Sequence, residues 1–334
     1  MTFGTRSAIF SASKPGCAVR MASICSPTRL SLSLRTTLSS LRTSRAPGIS
    51  LRSSPISLSL SIKPVRSNFK NPVSASSASA ETAGQCPKKV EKFQTEEEVA
   101  VRLAKYTADL SAKFVKERGA FTVVLSGGSL IYTLRKLAEE PYKYMVEWEK
   151  WHVFWVDERV VKRDHADSNY KLALEGLLCK VPIPPGQVYA INDALPAEGA
   201  AEDYETCLKH LVERNVIATS KATGFPKFDL MLLGMGPDGH LASLFPGHPL
   251  CNEKTKWVTH ITDSPKPPPE RITFTFPVIN SAAYNAMVVT GDDKADAVQR
   301  ALGNSQHPDT LPVQSLAAED ELTWFLDQGA ASRL

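Results

Sequence analysis

Acidic residues are missing from the start of this 334-residue chain: Met1 to Ala80 contains no Asp or Glu, and Glu81 is the first. Also missing is any apolar run approaching about 18 residues, which excludes an ordinary transmembrane helix. The six cysteines (Cys17, Cys25, Cys86, Cys179, Cys207 and Cys251) form no C-x-x-C pair. That excludes the common zinc modules and points to free thiols in a reducing compartment. The seven histidines lack H-E-x-x-H or comparable ligand spacing, so no metal is expected. No serine or cysteine stands beside a histidine in a nucleophile-elbow pattern, which leaves covalent catalysis unsupported. No internal repeat is present.

The acid-free segment carries eleven Lys/Arg and twenty-one Ser. It has no apolar core of about 7–15 residues, which excludes a secretory signal, and its composition is that of a disordered organelle transit peptide over residues 1–80. A bare basic tail is the bland alternative. A strand pair is another, since Leu30 to Leu34 and Ile56 to Ile62 alternate with period two, but without aromatics or turn residues. Serine richness and length favour the chloroplast (plastid) over the mitochondrion, with the organelle import machinery as a partner. The whole chain is +4 with a pI near 8.6. Residues 81–334 nevertheless hold 28 basic and 35 acidic groups, a net −7. The basic pI therefore describes the leader, and neither a nucleic-acid nor a membrane partner is expected. These 254 residues are enough for a single α/β domain with a full core. The chain ends in Ser332-Arg333-Leu334, one basic exchange from the peroxisomal Ser-Lys-Leu, which offers a peroxisomal import receptor as a second partner.

One stretch organises the domain. Phe228 to Pro249 opens with the apolar run Leu230 to Leu233, of buried-strand length, then gives three glycines in six residues, Asp238, His240 and two prolines. Open α/β sheets keep their ligands at the carboxyl ends of strands, and this turn delivers Asp238 and His240 to that edge. Gly234 to Gly239 is also a literal G-x-G-x-x-G, with Asp263 near the distance a dinucleotide site requires. The expected helix after it, His240 to Phe245, ends at Pro246-Gly247, too short for a βαβ crossover, so NAD binding is disfavoured.

Elsewhere, Thr95 and Glu98 make a capping box for a helix to Arg118, with Val99, Leu103, Tyr106 and Leu110 at helical spacing. Phe121 to Leu125 is a strand ending in Ser126-Gly127-Gly128-Ser129 before a helix over Leu130 to Glu139. Exposed backbone N–H groups and the helix dipole there suit a phosphate, although the glycines could equally serve a tight βα turn. Val153 to Val156 is a strand ending in Asp157-Glu158-Arg159, and Ser168-Asn169 caps a helix to Leu178. The remaining predicted strands are Val188 to Ile191, Trp257 to Ile261, Arg271 to Phe276, Ala286 to Thr290 and Leu322 to Leu326. Helices fall over Glu198 to Arg214, after Pro277 past Asn280, and from Gly291-Asp292-Asp293-Lys294 to Leu302; Pro265 to Pro269 is a stiff loop. Strand–helix alternation predicts a doubly wound, mostly parallel α/β sheet with helices on both faces, Rossmann-like.

Four strand ends then carry polar groups: Ser126–Ser129, Asp157–Arg159, Asp238–His240 and Gly291–Lys294. A small anionic substrate fits them. Arg159 and Lys294 supply charge, and His240, with a reference pKa near neutrality, supplies proton transfer.

At these residues the chain resembles the 6-phosphogluconolactonase family. The matching strings are Ser126-Gly127-Gly128-Ser129, Trp155-Val156-Asp157-Glu158-Arg159-Val160-Val161, Asp167-Ser168-Asn169-Tyr170 and Gly234 through Gly247. Arg271-Ile272-Thr273, Pro277 with Asn280, and Gly291 with Lys294 complete the series, in family order from Glu91 onward. The resemblance implies hydrolysis of a sugar-phosphate lactone, 6-phospho-D-glucono-1,5-lactone, without metal or cofactor. His240 would be the general base on water, oriented by Asp238, with Asp157 as a further catalytic carboxylate. Ser126, Gly127, Gly128, Ser129, Arg159, Arg271 and Lys294 would hold the substrate and its phosphate, Arg271 being the weaker candidate because a strand-end Arg is as often a salt-bridge partner. The family pattern usually has Thr after the histidine, where this chain has Leu241. Glucosamine-6-phosphate deaminase shares the G-P-D-G-H turn and an Asp at position 157, but carries a Glu a few residues past the histidine. Here Ala242 to Pro246 has no acid, which disfavours deamination. A catalytically idle sugar-phosphate binder is the remaining alternative.

Overall fold

In the computed structural model of the chain, residues 88–303 and 310–334 are described. The transit-peptide reading of residues 1–80, and the alternating segments within it, lie outside the described residues.

Among the described residues, eleven strands run in order: β1 Lys88–Lys92, β2 Phe121–Leu125, β3 Trp151–Trp155, β4 Asp157–Arg159, β5 Ala218–Thr219, β6 Pro226–Lys227, β7 Leu230–Leu233, β8 Val258–Ile261, β9 Arg271–Phe274, β10 Tyr284–Val289 and β11 Glu321–Leu326. The α-helices are α1 Glu96–Arg118, α2 Ser129–Thr133, α3 Tyr142–Met145, α4 Asn169–Gly176, α5 Ala197–Glu213, α6 Phe276–Asn280 and α7 Ala295–Leu302. Six strands form one sheet in the order β1-β11-β10-β7-β2-β3, with every neighbouring pair parallel. Side chains alternate across it. Val124, Phe154, Met231, Leu233, Met287 and Trp324 pack against α5, α6 and α7, while Val123, Val153, Leu230, Leu232 and Phe325 pack against α1, α2 and α4. Two cores on one sheet are the reason the central strands read as continuous apolar runs. The doubly wound α/β fold expected from the sequence is the one observed.

The sheet runs from β2 out to β3, then returns to place β7 on the other side of β2. The strand order therefore reverses between β2 and β7, and ligands of such sheets lie above the carboxyl ends at that crevice. Below it, the strands are clamped together. Asp229, buried just before β7, accepts from the Thr122 N–H at 2.7 Å and hydroxyl at 2.9 Å, and its own N–H meets the Thr122 hydroxyl at 2.9 Å. Arg118, at the end of α1, forks onto the same carboxylate at 2.7–3.1 Å.

Several elements depart from expectation. The helix after Ser129 is α-helical only to Thr133 and continues as a 3-10 turn over Leu134–Ala138. Val188 to Ile191 is no strand but a single bridge to Val153. Prolines precede it, and the Tyr204 hydroxyl at 3.0 Å takes the Tyr189 carbonyl that a ladder would need. His240 to Phe245 is not helical. Leu241 and Leu244 exchange backbone hydrogen bonds at 3.2 and 2.8 Å, closing a tight turn with Ala242 at φ 53°. After β3 the chain bends through Val156 into a separate antiparallel sheet, β4-β9-β8, which sequence alternation did not separate from the parallel one. Its outer strand β8 is covered by Glu205 of α5, which accepts from the N–H groups of Trp257 and Val258 at 2.8 and 3.0 Å.

Asp229→Ala leaves the Arg118 charge and the Thr122 N–H without their partner, and is expected to destabilise the fold by about 3–5 kcal/mol, read as a lower midpoint in urea.

Candidate active site

Above the crevice lies a cleft of about 240 Å³ lined by Ser126 to Leu130, Asp157, Arg159, Asn169, Gly234 to Gly236, His240, Ala242, Arg271, Val288 and Lys294. Every residue singled out from the sequence lines it except Asp238, which stands one step behind His240.

The histidine is held from one side. Its Nδ1 lies 2.6 Å from Asp238 Oδ1. A carboxylate has no proton to donate, so Nδ1 carries the hydrogen and Nε2 is left with its lone pair. Phe245 packs against the imidazole with ring centroids 4.8 Å apart. Gly236 makes this arrangement fit, because a Cβ there would stand 2.0 Å from His240 Cε1 and 2.6 Å from Asp238 Oδ1. Burial pushes the imidazole below its usual pKa, and the neighbouring Lys266 adds to that, while the bond to Asp238 pulls the other way without reversing it. Burial raises the Asp238 carboxyl, but its bonds to His240 and Lys266 outweigh this and hold it low. At neutral pH the pair is thus a neutral imidazole beside a carboxylate.

Asp157 sits at the start of β4, where the chain turns out of the parallel sheet. Its Oδ2 accepts from the buried Ser243 hydroxyl at 2.8 Å, and its carbonyl accepts from Asn169 Nδ2 at 3.0 Å. The Asn169 side chain also presses on the glycine turn: a Cβ on Gly127 would meet its Oδ1 at 1.9 Å. Gly128, at φ 69°, needs the left-handed conformation open to glycine. With α2 only five residues long, the anion capacity of this turn rests on its backbone N–H groups rather than on a long helix dipole.

Three cations reach the cleft. Arg159 donates from Nη1 to the Asp167 carbonyl at 3.1 Å, and its Nε is buried with no hydrogen-bond partner. Lys294 Nζ bonds the Thr290 carbonyl and Asp293 at 3.0 Å. Arg271 is buried and mostly committed. Its Nε and Nη2 donate to the carbonyls of Pro268, Lys266 and Pro267 at 2.8–3.0 Å, and Nη1 reaches Ser243 Oγ at 3.4 Å. Burial, then the nearby Arg159 guanidinium, lowers its pKa. Its bonds are those of a loop anchor with one edge on the cleft.

Sequence reasoning passed over three residues here. Asn169 was visible in the Asp167-Ser168-Asn169-Tyr170 string but taken only as a cap. Glu158 reads as one of a charge run, yet it is buried and accepts from the N–H groups of Arg159, Asn169 and Tyr170 at 2.7–2.8 Å, tying two cleft residues together. Lys266, in the proline loop, gave no signal at all.

An open parallel sheet with a histidine–aspartate pair and several cations at its reversal point has the charge and shape that suit a small anionic substrate, as in many enzymes of this architecture. Residues 94–324 match the model of the glucosamine-6-phosphate isomerases/6-phosphogluconolactonase family, and the chain belongs to that family. It is 72% identical over 244 residues to a probable 6-phosphogluconolactonase 4, chloroplastic, of Oryza sativa, spanning 72% of this chain and 75% of that one. It is 66% identical over 247 residues to 6-phosphogluconolactonase 3, chloroplastic, of Arabidopsis thaliana, spanning 74% and 75%. The solved 6-phosphogluconolactonase of Thermotoga maritima superposes with a TM-score of 0.60 at 29% identity, covering 72% of this chain and all of that one.

Gly236→Ala drives the imidazole out of its seat while leaving both cores untouched. Expected is a loss of turnover of about 10²-fold, the scale of a misplaced catalytic group, with an unchanged thermal midpoint.

Proposed function

We propose that the protein hydrolyses 6-phospho-D-glucono-1,5-lactone to 6-phosphogluconate in the oxidative pentose phosphate pathway, with His240 as general base. The observation that carries this reading is an imidazole whose Nδ1–H is fixed on Asp238 and whose Nε2 is left for the same cleft that holds Arg159, Lys294 and the glycine turn. Water attacks the lactone carbonyl while Nε2 takes its proton. The tetrahedral centre then collapses by breaking the bond to the ring oxygen, which takes the proton back from the imidazolium. Asp157, buried and held by Ser243, offers a fixed negative charge toward that imidazolium. Arg159, whose Nε lacks a partner, and Lys294 meet the phosphate with the Ser126–Ser129 backbone, and Arg271 contributes mainly by fixing the loop beside them.

Deamination is disfavoured by the turn after the histidine. Ala242 to Pro246 supplies no carboxylate, and its one buried hydroxyl, Ser243, is committed to Asp157. The domain assignment extends this reading: residues 1–80 address the chain to the plastid, in line with the chloroplastic names of its relatives, and residues 81–334 act as one catalytic domain. The exposed C-terminal Ser332-Arg333-Leu334, with Arg333 paired to Asp296, leaves a second address in the peroxisome as a proposal that those names do not support.

The test is lactone hydrolysis on freshly generated substrate, with spontaneous opening subtracted. His240→Ala is expected to lose about 10²–10⁴-fold. Because the imidazole pKa lies below its usual 6.5, wild-type kcat/KM should stay flat through neutrality and fall only as pH drops below that value. Asp238→Asn removes the carboxylate that raises the imidazole pKa, so any residual activity should lose its acid limb at still lower pH. A wild type no faster than the spontaneous reaction would leave the sugar-phosphate binder; release of ammonia from glucosamine 6-phosphate would favour the deaminase.

A further inference from the structure

The loop between β8 and β9 carries Lys266 against the histidine–aspartate pair without itself lining the cleft. Its Nζ lies 3.0 Å from Asp238 Oδ1 and 3.2 Å from His240 Nδ1. This is not a loosely held surface lysine. Arg271 donates to the carbonyls of Lys266, Pro267 and Pro268. The Ser264 hydroxyl donates to the Lys266 carbonyl at 2.8 Å and accepts its N–H at 3.3 Å. Pro265, Pro267, Pro268 and Pro269 remove most of the remaining backbone freedom. Several independent bonds and four prolines thus fix the backbone from which the ammonium reaches Asp238.

We infer that Lys266 is a positioning residue for His240: it shares the Asp238 carboxylate, adds to the forces that disfavour the charged imidazole, and so helps hold the base ready for a proton. The inference rests on the reading of His240 as general base. Burial is the main force against the charged imidazole, and Asp238, at 2.6 Å, works against it by favouring the imidazolium. An ammonium on the same oxygen offsets part of that pull. It also faces the imidazolium as a like charge once the proton is taken, which favours handing the proton on to the ring oxygen. The other charged groups around the imidazole are Asp157 of β4, which favours its charged form, and the cleft cations Arg159, Arg271 and Lys294. Unlike those three cations, Lys266 has its ammonium against both the ring and its carboxylate.

The experiment uses the full chain and two readouts. The first is NMR titration of the His240 ring signal, assigned by its loss in His240→Ala. Lys266→Met should move the His240 midpoint up by about half a pH unit or more, the scale of one partly exposed charge at this distance, while Lys266→Arg should leave it near wild type. The second is the acid limb of kcat/KM, which should move up in step in Lys266→Met, with the alkaline plateau falling far less than in His240→Ala. A His240 midpoint unmoved by Lys266→Met overturns the inference. A midpoint that moves while the acid limb stays put upholds Lys266 and instead removes His240 from the general-base role. Absence of lactonase activity leaves the titration to decide Lys266 by itself.

Discussion

The structure depends on one buried carboxylate. Asp229 binds the Thr122 hydroxyl and N–H, and the Arg118 fork, at the foot of the two strands where the sheet changes direction. Burying such a pair is unfavourable unless its polar atoms find partners, and here both Asp229 oxygens and all three Arg118 guanidinium nitrogens have at least one. The result is register rather than bulk stability: β2 and β7 are fixed with Val123 beside Leu230. Their upper ends, Leu125 and Leu233, therefore release the glycine turn and the histidine turn at matching heights. A slip by one residue would turn every side chain of β7 to the other core. The cleft at the top inherits its geometry from a bond at the bottom.

The legible parts of the sequence were those fixed by local rules. Period and length gave β2, β7, β10 and β11, the Thr95 cap gave α1, and glycines at strand ends marked the turns that line the cleft. The illegible parts depend on partners distant in the chain. β4 reads as a charge run because Asp157 and Glu158 look solvent-bound until Ser243 and the start of α4 bury them. The parallel and antiparallel strands have the same alternation, so β8 and β9 could not be assigned to a second sheet. Lys266 is an ordinary lysine between prolines; only the fold shows that its ammonium reaches across 28 positions to Asp238.

One buried arginine organises the surroundings of His240. Arg271 begins β9, and most of its donors face its own upstream loop. A guanidinium is suited to this, since its fixed planar fork can satisfy several carbonyls at once. Through that loop it sets Lys266, and through Ser243 it touches the group that holds Asp157. Two of the acids around His240 are thus tied to one cation, which couples the electrostatics of this histidine to the stiffness of a proline loop.

The outermost strand of the large sheet has a further consequence. β1, Lys-Lys-Val-Glu-Lys, pairs with Leu322–Leu326 of β11, its lysines are exposed, and Glu91 forms a half-buried ion pair with Arg102. It is the charged selvedge of an otherwise apolar fabric, and it begins within a few residues of the segment read as a leader. Proteolytic trimming that ran past Lys92 would bare the backbone of Glu321–Leu326, a strand of high apolar content with nothing left to discourage another chain from adding to it. Were the leader removed, a cut that spared Lys88–Lys92 would leave β11 covered.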